Sequence, residues 1–443
     1  MAQRKTDRKN EQGDQTRTRI LEEAMRLAAC HGYEGTRLSM IRKATGLSAS
    51  SIYWHFSDKD ELFAAALERS FELQSQSIPN WLDSPPGDSR TADLYGNILQ
   101  FPRIDDSMAY WRFGLQISVV RPRIVSPARA RFLQIRREST QWLVKWWERT
   151  LPADMEQKEA AAGLLGRLTI AIRDSEFIQR HGSGGLDEDR VTWMIAACLN
   201  AAADRVAELA SSGSLDAVRD APAAAPAPAP VPEGSGESPR DVFLRAAEDT
   251  IVEFGYDGVT VARVCEKAGL PASSLYWSFK GKDDLVATVV DNACRGWDKA
   301  KPAMEARPLD GDWSVVLKRL QLKTLEGFTA RTRIRRLGLL LLLQPAAGPG
   351  AGNQRLEPVL QNMQSMTDEW FRSVLDPELD DTSRSELAGY LSECLFRILD
   401  GLMLSRQIEE GPWDPELLSD VTSTALYRVA GLMQAGNTVA WNA

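Results

Sequence analysis

The sequence predicts an all-α protein built from two copies of one unit. Apolar residues recur at helical spacing along most of the chain, and no stretch sustains the alternation of a half-buried strand. Short motifs recur at one fixed offset, and an alanine- and proline-rich stretch lies between the copies. At 443 residues the chain is also too long for one compact domain.

The repeat sets the organisation. Gly32-Tyr33-Glu34-Gly35 returns as Gly255-Tyr256-Asp257-Gly258. Ala49-Ser50-Ser51-Ile52-Tyr53-Trp54 returns as Ala272-Ser273-Ser274-Leu275-Tyr276-Trp277. Lys59-Asp60-Glu61-Leu62 returns as Lys282-Asp283-Asp284-Leu285. From Gly32 to Gly255 the offset is 223 residues, and the other two motifs keep it without a gap. A period of that size is a whole subunit and not a solenoid repeat, so it reads as duplication or fusion. The expected divisions are a flexible basic arm at 1–16, a head at 17–64, a helical body at 65–215, a linker at 216–238, a second head at 239–287 and a second body at 288–443. Repeated proline in the linker removes backbone donors and favours extended polyproline. About 20 such residues reach roughly 60 Å at ~3.1 Å each, enough to tether one unit to the next.

Within the first head, Ile20, Leu21, Ala24, Leu27 and Ala28 line one face of a helix that Gly32 ends. A short helix around Leu38 and Ile41 follows, then the tight turn Thr45-Gly46-Leu47. Ser48 is a candidate N-cap for a third helix ending near Trp54. In the second head Thr260 can cap the second helix, and Pro271 suits the first turn of the third. Two short helices joined by a glycine-containing turn form a helix-turn-helix. Beyond the heads, helices are expected near 108–120, 128–150, 157–179 and 188–212, and near 283–299, 313–328, 331–344, 355–375, 383–408 and 414–434.

The ordered string Gly-Tyr-x-Gly-Thr, Thr-Gly-Leu-Ser and Tyr53-Trp54-His55-Phe56 with Lys59 and Leu62 resembles the TetR family of bacterial repressors. The second copy repeats the resemblance through Gly255-Tyr256, Ala268-Gly269-Leu270, Tyr276-Trp277-Ser278-Phe279, Lys282 and Leu285. The resemblance implies two three-helix heads that read DNA, each on a helical body that binds a ligand and dimerises. The third helix of such a head enters the major groove and presents its N-terminal residues to base edges. Ala49, Ser50 and Ser51, with Ala272, Ser273 and Ser274, are the candidate readers. By resemblance, Tyr53, Lys59, Tyr276 and Lys282 are phosphate contacts, which orient the protein without specifying sequence. Ser39, Ser48 and His55 differ from their counterparts Ala262, Pro271 and Ser278, and Met40 faces Arg263, so Ser39, Ser48, His55, Arg263 and Pro271 are expected at the edges of related but unequal half-sites. Trp54 has two readings, core packing or backbone contact, and Trp277 is its expected DNA-binding counterpart. Arg4, Lys5, Arg8, Lys9, Arg17 and Arg19 read as a solvated tail or as further DNA contacts.

Each copy ends in two apolar-faced helices, the pair through which TetR-like chains dimerise. Ala161, Leu164, Leu165, Leu168 and Ile172 form one face, and Leu387, Leu391, Leu395, Ile398 and Leu402 the other. The simplest reading is a pseudo-dimer within one chain, with domain swapping between two chains as the alternative. Trp111, Phe113, Trp142 and Trp146, and Trp313 and Trp370, are candidate linings for an apolar or aromatic effector. Repression or activation stays open at this level.

Charge and cysteine usage narrow the rest. A net charge of −8 removes bulk attraction to nucleic acid, so binding must rest on local basic positions. The five cysteines share no ligand spacing with the three histidines and read as buried thiols of a reducing compartment. No phosphate loop, nucleophile elbow or metal motif occurs, so neither an enzyme nor a cofactor is expected. The N-terminus lacks the apolar core of a secretory signal, and Leu337–Leu343 is far too short to span a bilayer, so a cytoplasmic protein is expected.

Overall fold

The computed structural model describes residues 2–77, 81–82, 87–99, 108–120, 126–178, 186–213, 215, 238–255, 258–300, 311–330, 332–343, 351–408 and 414–434. Among them every extended regular element is an α-helix. The first unit comprises α1 (Ala2–Gly35), α2 (Leu38–Thr45), α3 (Ala49–His55), α4 (Lys59–Ser77), α5 (Arg90–Leu99), α6 (Ala109–Val120), α7 (Pro127–Thr150), α8 (Lys158–Ser175) and α9 (Glu188–Ser211). The second comprises α10 (Pro239–Phe254), α11 (Val261–Ala268), α12 (Ala272–Ser278), α13 (Lys282–Ala300), α14 (Ser314–Ala330), α15 (Thr332–Leu342), α16 (Ala351–Val374), α17 (Asp381–Ile408) and α18 (Pro415–Gln434). The expected linker falls outside the described residues but for Ser238, which caps α10 by accepting from Asp241 N.

Two elements differ from expectation. The arm at 2–16 is helical and continuous with α1. The arm extends a helix already nucleated by the buried stripe from Ile20 onward, and adding a turn to an existing helix is far easier than starting one. α5 was not expected at all, although its counterpart α14 was. Gly32 does break α1, with φ 67° and ψ 179°, and Gly255 ends α10 with φ 74° and ψ 173°.

The head of each unit closes over a few side chains. Ile20, Leu21, Ala24, Leu27 and Ala28 are buried with Ile41, Ile52, Phe56 and Leu62. In the second head Phe243, Ala247, Ile251, Val264, Leu275, Phe279 and Leu285 are buried. The head is joined to its body by α6, which packs on α1 and α4, and by α15, which packs on α10 and α13.

The bodies meet through their last helices: α8 packs on α17, and α9 on α18. The crossing is close, because a Cβ on Gly401 would lie 2.0 Å from the Ala171 carbonyl oxygen. Polar side chains rim this four-helix junction. Arg205 Nε donates to Asp420 Oδ2 at 2.8 Å, and Arg428 Nη2 donates to Glu208 Oε1 at 2.7 Å. Nearer the heads, α6 also meets α15, where Gln116 Nε2 donates to the Leu343 carbonyl at 2.9 Å.

A buried ion pair sits where α6, α7, α8 and α17 converge. Arg136 Nη2 donates to Asp174 Oδ2 at 2.7 Å and to Ser405 Oγ of the second unit at 2.9 Å. Trp111 Nε1 donates to Asp174 Oδ1 at 2.7 Å. Arg136 and Asp174 are 1% and 0% exposed, so each charge depends on these partners. The Asp174 position recurs as buried Asp400, in register with Gly163 and Gly389.

The units have also exchanged contact types. Arg90 on α5 forms a salt bridge with Asp204 on α9. At the same two positions in the second unit, Trp313 meets Tyr427 edge-on with ring centroids 5.0 Å apart. The cysteines do not all fit the expected buried pattern. Cys198 and Cys394 are buried, but Cys30 is exposed on α1 and Cys265 is half-buried.

Candidate nucleic-acid interface

Each third helix is docked by one buried side chain. Ile52 is the buried residue of α3, and Leu275 that of α12. Seven residues are too few for a helix that is stable by itself, so this docking and the flanking caps hold it. Before α3, Gly46 closes α2 in the left-handed region at φ 69°, and Gly269 closes α11 at φ 65°. Thr45 Oγ1 donates back to the Ile41 carbonyl at 2.8 Å and tightens the turn in the first head. Ser48 then caps α3, accepting from Ser51 N at 3.1 Å.

The opposite face of each third helix is open. Tyr53 and Trp54 are 55% and 79% exposed, and Tyr276 and Trp277 are 59% and 91% exposed. Neither tryptophan is therefore part of the core. Ala49 and Ser50, like Ala272 and Ser273, are exposed on the same helices, and Ser51 and Ser274 are half-buried. In the first head the Ser48 hydroxyl lies 2.8 Å from those of Ser50 and Ser51. Pro271 supplies no hydroxyl in the second head, so the serines there lack that local tie. Ser39 is exposed on α2. His55 is half-buried, with Trp54 edge-on at 4.7 Å. Burial, then the charge of Arg17, holds its pKa below the usual imidazole value.

Lys59 does not point outward. Its ammonium donates to the Tyr33 carbonyl and lies 4.3 Å from the centre of the Tyr33 ring. Burial pulls its pKa down to about 8, against the opposing pull of Asp60. The expected phosphate contact is thus turned into its own head here. Lys282, its match, is half-buried. Arg263 is also engaged, donating to the Gly258 carbonyl at 2.7 Å and pairing with Glu34 of the first head at 3.3 Å.

Arg17, named with the basic arm, has a match in the second head that the sequence reading missed, Arg240. The Arg17 guanidinium lies 5.4 Å from the Phe56 ring centre, and that of Arg240 lies 4.6 Å from the Phe279 ring centre. Arg240 Nη1 also donates to the Ser278 carbonyl at 2.9 Å, at the C-terminal end of α12. The offset that relates the motifs relates these arginines, and it could have found Arg240.

The candidate effector residues do not form one group. Trp111 is tied to Asp174, whereas Phe113 packs on Phe63 with centroids 5.1 Å apart. Trp146 meets Trp81 and Trp147, and Trp142 stands 38% exposed, stacked on Phe71. Trp313 and Trp370 meet edge-on at 6.0 Å, with Phe371 beside both. Among the described residues no group of His, Cys, Asp or Glu could hold a metal ion, and no helix is long and apolar enough to cross a membrane.

Paired three-helix heads with open third helices, on helical bodies, define a helix-turn-helix protein with two heads. The model of bacterial regulatory proteins of the tetR family matches residues 20–66 and 243–289. Both heads thus match that family's model, in tandem and at the same offset as the repeated motifs. It is 42% identical over 60 residues to the HTH-type transcriptional regulator AcrR of Shigella flexneri, covering 14% of this chain and 28% of the relative. It is 48% identical over 63 residues to the HTH-type transcriptional repressor AcnR of Corynebacterium efficiens, covering 14% and 34%. The HTH-type transcriptional repressor ComR of Escherichia coli is 43% identical over 53 residues, covering 12% and 25%. The chain thus spans about a third or less of the length of these relatives.

Proposed function

We propose that this chain is a transcriptional repressor whose two heads read the two halves of one imperfect palindrome. The exposed Tyr-Trp pair at the same place on both third helices carries this reading. Large aromatic side chains so open to water mark a contact surface. The small residues before them let the helix backbone approach base edges. The two bodies pair within the chain and hold the heads at a fixed distance. Half-sites about one DNA turn apart, ~34 Å, then lie within reach of both heads. A small apolar or aromatic effector, bound among the body helices, releases the operator by changing that distance.

Selection of bound DNA with the purified full chain, followed by footprinting with each half-site scrambled, tests the reading. Loss of affinity on scrambling either half is expected. Unchanged affinity on scrambling one half would leave a single reading head. That second reading has one observation in its favour. Exposed Arg42 and Lys43 on α2 stand where the second head has Cys265 and Glu266, so α2 carries more net positive charge toward a phosphate backbone than α11. Ser50→Ala or Ser51→Ala should shift base preference by about 1–3 kcal/mol per base pair disturbed. Equal loss on every sequence would reject their reader role.

A further inference from the structure

We infer that Glu34 and Arg263 form a latch between the two heads that selects one half-site spacing. Arg263 Nη2 lies 3.3 Å from Glu34 Oε2, across the boundary between the first head and the second. Both partners are aimed from behind. The Arg263 guanidinium is held on the Gly258 carbonyl at 2.7 Å and over the Phe254 ring at 4.3 Å. Its backbone N–H is fixed by the Thr260 cap at 3.2 Å. Glu34 lies in the bend after Gly32, its side chain 14% exposed. The adjoining Tyr33 carbonyl and ring are held by the Lys59 ammonium.

The latch sits above a second line of contact. Val120 at the end of α6 approaches Gly255 at the end of α10, so that a Cβ there would meet Val120 Cγ2 at 3.6 Å. Gln116 on the same helix donates to the Leu343 carbonyl of the second unit at 2.9 Å. The first body therefore also touches the second head and the second body close to the latch.

The latch is one-sided. Met40 occupies the position of Arg263 in the first head, and Asp257 that of Glu34 in the second. The reciprocal pair would lack a cation. Only a chain with unlike halves makes a single such bond, and it fixes how far α11 stands from the bend after α1. Because α11 and α12 form one helix-turn-helix, the bond positions a reading helix without touching DNA.

This inference rests on both heads engaging one duplex, and the test separates the two claims. Operators with half-sites spaced one base pair closer, at the optimum and one base pair wider are titrated with the full chain. Glu34→Gln and Arg263→Gln, and the swap Glu34→Arg with Arg263→Glu, are compared with the wild type. Helix content by circular dichroism verifies folding. The wild type should prefer one spacing. Each single change should cut that preference by about 5-fold, the scale of a partly exposed ion pair, and the swap should restore it. A preference that survives both single changes overturns the latch alone. So does Arg263→Gln lowering affinity equally at every spacing while Glu34→Gln raises it, which would make Arg263 a phosphate contact that Glu34 holds back. A wild type indifferent to spacing overturns both the latch and the two-headed reading.

Discussion

At the scale of single residues, the structure separates groups that face outward from groups that act within the head. Tyr53 and Tyr276 remain where a phosphate can reach them, and Lys59 does not. Because burial depresses the Lys59 pKa from 10.5 to about 8, the unfolded chain binds more protons than the folded one between those values. Stability should therefore rise with pH across that window for the wild type relative to Lys59→Met. Thermal melts of both proteins from pH 7 to pH 10.5 give the comparison, and parallel curves would show that the ammonium is not buried in solution. The Arg136–Asp174 pair gives a larger effect. Arg136→Met leaves a carboxylate without its counter-charge and should cost about 3–5 kcal/mol in urea unfolding. Adding Asp174→Leu should recover most of it, since an apolar pair carries no desolvation penalty.

At the scale of elements, the heads were legible and the bodies only in part. Gly32, Gly46 and Ser48 carry turn and cap signals whose chemistry is local, and the structure uses each of them as read. The heads also appear twice in register, which ties each assignment to a second copy. α5 was missed because Arg90–Leu99 is short and interrupted by Gly96 and Asn97. Its amphipathic face is too brief to stand out, although the expected helix at 313–328 marks its place in the other unit. The inward turn of Lys59 and the partner of Arg263 were illegible for another reason. Both depend on groups far away in sequence, Tyr33 in one case and the opposite head in the other. Helix crossings are equally hidden. Nothing around Gly401 announces that α8 passes so close, yet its missing Cβ is what permits the approach. Gly401→Ala should cost about 3 kcal/mol, the upper end of overpacking effects, because backbone and not a flexible side chain lies in the way. Gly431→Ala, where a Cβ would meet nothing within 4 Å, is the matched control and should be neutral or slightly stabilising.

At the scale of the whole molecule, the tether and the four-helix junction act together. Buried apolar faces on α8, α9, α17 and α18 should hold the halves together without the linker. A protease site placed within 216–238 should, once cut, leave both fragments co-eluting at micromolar concentration. Operator binding by the cut protein should then fall on dilution, while the intact chain keeps its affinity. The linker sets an effective local concentration of about millimolar order, which dilution cannot change. Light scattering of the intact chain should give the single-chain mass of 49.2 kDa. Twice that mass would show that the halves pair between chains.

The contact between α14 and α18 has one more consequence. In an assembly of identical chains every mutation arrives twice, and a new side chain must suit both places at once. Here an edge-on Trp313–Tyr427 contact stands on one side where Arg90 and Asp204 keep a salt bridge on the other. One codon change therefore alters one half only, and the untouched half serves as an internal control within the same molecule.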